Sequence, residues 1–64
     1  MKANQDVRAH FDSKGVRHWQ VADKLLMSES LFSRKLRREL SEREKAIVIE
    51  AIDKVAAENE EAAT

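Results

Sequence analysis

HWQVADKLLMSESLFSRKLRR, running from His18 to Arg38, carries two apolar stripes of helical period separated by a tight turn. Val21, Ala22 and Leu25 share one face of a first helix, Ser28 stands where a second helix needs a side-chain cap, and Phe32 and Leu36 resume the buried stripe. The spacing predicts helices over roughly 18–26 and 29–38 that meet at an angle. The small Ala22 lets the second helix cross close to the first, as in a helix-turn-helix whose second member projects into a DNA groove. That second helix ends in four cations among the five residues 34–38.

Outward from this stretch the chain remains helical. Ala3, Val7 and Phe11 recur every four residues, so a first helix is expected over roughly 4–13 with Asn4 as its N-cap. Gly15, the only glycine, is placed to close that helix in a left-handed conformation, with Val16 as the hydrophobic contact behind it. Downstream, Ser41 and Glu44 form an S-x-x-E capping box, and Ile47, Val48, Ala51, Ile52 and Val55 give a fourth helix a broad apolar face. From about Ala57, AENEEAAT loses that face. One domain over residues 1–57 with an acidic, disordered tail over 58–64 is therefore expected. The expected core comprises Val7, Phe11, Val16, Trp19, Val21, Ala22, Leu25, Met27, Phe32, Leu36, Leu40, Ile47, Val48, Ala51, Ile52 and Val55.

Composition narrows the function classes. Sixty-four residues allow one small core, close to the size at which a chain needs a metal, a disulfide or a partner subunit. There is no cysteine and no proline, so thiolate chemistry is excluded and an all-α fold is expected. No window is long and apolar enough for a bilayer, and MKANQDV has no secretory character, which points to a soluble intracellular protein with no membrane partner. His10 and His18 fall on different elements without clustered carboxylates, and one glycine cannot build a phosphate loop. No catalytic residue, cofactor, metal or small-molecule ligand is expected, and the chain reads as no enzyme.

The formal charge of zero conceals a dipole. Residues 1–40 hold nine Lys and Arg against five Asp and Glu, whereas residues 41–64 hold three against seven. A basic front and an acidic rear suit a molecule that docks one side on a phosphate backbone.

The segment Val21-Ala22-Asp23-Lys24-Leu25, followed by Met27, Ser28 and Phe32, resembles the helix-turn-helix of the lambda-repressor-like (Cro/C1-type, XRE-family) DNA-binding domains of phages and mobile elements. The resemblance covers about a third of the chain closely. It implies a compact four-helix domain, a reduced version of the family's fold, that binds double-stranded DNA as a repressor or Cro-like transcription regulator in the cytoplasm of a bacterial cell or phage-infected host. Leu26 occupies the turn position where the family usually has glycine, so either a leucine adopts a left-handed backbone or the turn is built differently.

Winding the third helix at about 100° per residue gathers Ser30, Ser33, Arg34, Arg37 and Arg38 along one sector opposite Phe32, Leu36 and Leu40. Arginine forks onto the two major-groove acceptors of guanine, serine serves either strand, and Glu29 near the helix start can accept from cytosine. Glu29, Ser30, Ser33, Arg34 and Arg37 are the candidates for base contact. Lys14, Arg17, Ser28, Lys35 and Arg38 are candidates for phosphate contact. Ser28 also reads as a cap alone, and the cations also read as an ordinary solvated surface in which Arg37 or Arg38 pairs with Glu42 or Glu44. Leu31 either packs on the second helix or meets a thymine methyl. On the fourth helix, Ile49, Ile52 and Ala56 form a candidate strip for pairing with a second copy of the chain. Two rival readings stand beside DNA-directed regulation: a protein-interaction module such as an antirepressor or antitoxin-like subunit, and an excisionase-like architectural DNA binder.

Overall fold

A computed structural model describes residues 3–63 and contains helices α1 (Gln5–Lys14), α2 (His18–Lys24), α3 (Glu29–Lys35) and α4 (Glu42–Ala63), with no strand among the described residues. The domain is all-α. Helix α4 is its spine: α1 and α2 pack along it, and α3 packs on α2. At 1.5 Å per residue its 22 residues measure about 33 Å, nearly the full 37 Å of the molecule's long axis.

Local chemistry sets most helix ends. Gly15 closes α1 at φ 64°, its N–H bonded to Asp12 O and the Val16 N–H reaching back to Phe11 O at 3.2 Å, with Val16 buried behind it. At the start of α2 the Gln20 side chain accepts the Arg17 N–H at 3.0 Å. Ser28 opens α3, its Oγ accepting the Leu31 N–H at 3.1 Å. Ser41 and Glu44 exchange side-chain and backbone hydrogen bonds at the start of α4.

The turn between α2 and α3 is built on a left-handed leucine. Leu26 has φ 60°, the Leu26 N–H bonds Asp23 O, and the Met27 N–H returns to Ala22 O at 2.8 Å. This is the same closure that Gly15 gives α1, made by a residue whose Cβ opposes it.

The core contains Val7, Phe11, Val16, Val21, Ala22, Phe32, Leu36, Leu40, Val48, Ala51, Ile52 and Val55, with Leu25, Met27 and Ala56 partly buried against it. Two expected core residues lie outside. Trp19 is 54% exposed because α2 turns His18 inward, leaving its neighbour about 100° round the helix, over the polar seam with α4. Ile47 is 49% exposed because the buried line of α4 runs through Val48, Ala51, Ile52 and Val55.

Three further expectations are corrected. Ile52 is wholly buried and Ile49 and Ala56 are half-buried, so α4 does not present these three as an exposed strip for a second copy. The helix also continues through Ala63 instead of ending near Ala57. Alanine and glutamate are strong helix formers, and this end is tied to α2 by the Lys24–Glu58 ion pair and the Gln20–Asn59 hydrogen bond. Asn4 precedes α1 as expected but makes no cap hydrogen bond, and the first turn is served instead by Asp6, whose Oδ1 accepts the Val7 N–H at 2.9 Å.

Candidate nucleic-acid interface

Helix α3 is anchored by Phe32 and Leu36, each 1% exposed. Phe32 meets Phe11 edge-on at 6.1 Å, and His18 lies tilted against Phe11 at 4.5 Å and edge-on to Phe32 at 6.0 Å, so one aromatic cluster joins the first three helices. His18 is not a surface group. Burial, reinforced by the Arg8 guanidinium, lowers its pKa from the ordinary histidine value.

With that face committed, the opposite one stays bare. Glu29, Ser30, Ser33, Arg34 and Arg37 are all exposed and together line a single open depression. Among the described residues, Arg34, Arg37 and Arg38 have no side-chain hydrogen bond or ion pair. Glu29 shares the depression without pairing to either arginine, and the carboxylates of Glu39 and Glu44 are engaged elsewhere. Glu44 is drawn to the Ser41 N–H and hydroxyl and then to Lys35, which lowers its pKa. Glu39 is lowered chiefly by its hydrogen bond to Lys45 and next by the Asn4 N–H. Lys45 also binds Asp6 at 3.1 Å, lowering that carboxyl, and its own pKa is raised by Glu39 first and Asp6 second.

Regular helix stops at Lys35, three residues short of the expected Arg38. Arg37 and Arg38 lie on a tightened turn, their N–H groups bonded to Arg34 O at 3.2 Å and Lys35 O at 3.3 Å. A side chain remote in sequence shapes this exit. Asn4, wholly buried, donates from Nδ2 to Leu36 O at 3.0 Å and Arg38 O at 2.8 Å, and its Oδ1 accepts the Leu40 N–H at 2.8 Å. Arg8 adds a bond from Nη2 to Leu36 O at 3.1 Å. Sequence reasoning missed this clasp, since an asparagine ahead of a helix signals a cap and its partners lie more than 30 residues away.

The remaining candidates scatter. Lys35 faces Glu44 at 3.5 Å and Lys14 faces Asp53 at 3.8 Å, so both lean toward α4. Such exposed pairs are worth about 0–1 kcal/mol and exchange partners easily. His10 bonds the same Asp53 at 2.8 Å. Arg17 is exposed just ahead of α2, Ser28 is occupied as the cap of α3, and Leu31 remains 46% exposed on α3. Among the described residues, no helix is long and apolar enough to cross a membrane. Comparison with protein-family models, curated proteins and solved structures returns no match for this chain.

Proposed function

We propose that the chain binds double-stranded DNA sequence-specifically and acts as a small transcription regulator of the lambda-repressor-like kind, with α3 in the major groove. The observation that carries this reading is the bare face of α3: Ser30, Ser33, Arg34 and Arg37 exposed on one depression, the arginines unpaired, while Phe32 and Leu36 fix the opposite side in the core. Unpaired guanidiniums give up no intramolecular partner on meeting a guanine edge or phosphate, so the approach costs only hydration and rotamer freedom. The short cap-to-cap length of α3 limits one copy to a few base pairs. Useful specificity then calls for two copies on half-sites about 34–36 Å apart.

The test is selection of bound sequences from random duplex DNA, followed by titration of the winning site at several salt concentrations. A two-fold symmetric consensus, binding that weakens steeply with salt, and loss of the site preference in an Arg34→Ala, Arg37→Ala double variant are the expected results. Failure to enrich any sequence refutes the reading.

One observation favours a protein-interaction module instead. Leu25, Met27, Leu40, Ile47 and Val48 line an apolar groove between the α2–α3 turn and α4, closed at one side by the Lys35–Glu44 pair. A salt-insensitive protein complex abolished by Ile47→Asp distinguishes that role from DNA binding.

A further inference from the structure

We infer that Asn4 is a positioning residue for Arg37, setting through the backbone the direction in which that guanidinium leaves the domain; the inference rests on the DNA-binding reading and names a determinant of its specificity outside α3. The segment 36–40 is not regular helix, so its shape is not prescribed by the helical ladder. Asn4 prescribes it. One carboxamide holds the carbonyls of Leu36 and Arg38, the two residues flanking Arg37, and the N–H of Leu40 beyond them. Helix C-termini ordinarily leave such carbonyls to water or to a local left-handed cap. Here the cap comes from the other end of the chain, is fully buried, and leaves no polar side-chain atom of Asn4 unpaired.

The chemistry selects asparagine closely. Two donors and one acceptor must meet three backbone groups within the reach of a single methylene. Aspartate offers only acceptors to the two carbonyls, and glutamine is one methylene too long for the same three contacts. Asn4 itself is in turn fixed, with φ 60° and its N–H donated to Glu39 Oε1 at 2.9 Å. Glu39 shares Lys45 with Asp6, so the clasp is braced from the starts of both α1 and α4. Arg8, which touches the same Leu36 carbonyl, is the second member of the device.

A double-mutant cycle on the selected duplex separates positioning from general support of the fold. Asn4→Ala is combined with Arg37→Ala and, separately, with Arg34→Ala, with folding of each protein verified by far-UV circular dichroism. Asn4→Ala is expected to lower affinity on the order of tenfold when Arg37 is present, and by less than about twofold when Arg37 is already alanine. In the Arg34→Ala background the full tenfold loss is expected, because Arg34 sits within regular α3. Equal losses in all three backgrounds overturn the inference. Should Asn4→Ala fail to fold, Arg8→Met removes the second donor on Leu36 and enters the same cycle with the same expected inequality. A wild-type chain that binds no duplex sinks the DNA reading, and amide relaxation of Arg37 and Arg38 in Asn4→Ala then reads the clasp directly: unchanged order there overturns it.

Discussion

Replacing Leu26 by glycine tests the turn on which the α2–α3 geometry depends. A left-handed backbone costs a residue with a Cβ about 1–2 kcal/mol, and Leu26 holds φ 60°. Its side chain is 94% exposed, so almost no burial energy is lost when it is removed. Glycine returns about 0.5–1 kcal/mol of the gain through the greater freedom of the unfolded chain. The balance is a net stabilisation of about 0.5–1 kcal/mol. For a domain this small that corresponds to a rise of about 2–8 °C in midpoint temperature. Thermal unfolding followed at 222 nm, at two protein concentrations tenfold apart, is the assay. Leu26→Asn should fall between wild type and glycine, and Leu26→Val, β-branched at a left-handed position, should lie below wild type. A glycine variant that melts several degrees lower refutes the argument. If that drop also depends on concentration, Leu26 is covered by a second copy of the chain in solution.

Phe32→Ala should cost about 3–5 kcal/mol, comparable to the whole stability of a domain this size, and leave the chain largely unfolded at room temperature by circular dichroism. The Arg34→Ala, Arg37→Ala double variant, by contrast, should keep its unfolding free energy in urea within about 0.5 kcal/mol of wild type, since neither side chain has a partner to lose. His18 makes stability pH-dependent in a defined direction. Its pKa is lowered in the folded state by burial and by Arg8, so the fold favours the neutral ring. The stabilisation is complete above the ordinary value of 6.5 and is lost as pH falls below it. The urea midpoint should therefore drop between about pH 7 and 5, and His18→Gln should flatten that slope. Asp6, Glu39 and Glu44, all lowered, act in a separate window below the ordinary carboxylate values of 3.8 and 4.5, where acid removes the stability they contribute.

Much of this architecture is legible because it is local. The cap at Ser28, the stop at Gly15 and the box between Ser41 and Glu44 each involve residues within a few positions of one another. The stripes of α3 are equally plain, because Phe32 and Leu36 recur at helical spacing and the exposed sector follows by rotation. The helix faces of α2 and α4 were harder, since an apolar arc wider than the contact it fills leaves its margin undecided. Trp19 and Ile47 sit on that margin, and the partner helix, not the period, leaves them out. Least legible were contacts over long separations. His18 joining Phe11 and Phe32, and Asn4 clasping the exit from α3, depend on how the elements assemble. The early end of α3 at Lys35 belongs with them, because the turn that replaces it is held by Asn4.

The clasp has a practical corollary for anyone tagging this protein. A purification handle or fluorophore attached just ahead of Asn4 pulls on the very residue whose carboxamide holds the arginine turn. Labels attached to α4 beyond Ala56 ride instead on residues 57–62, whose side chains are all exposed. Binding constants gathered with the two placements should therefore diverge.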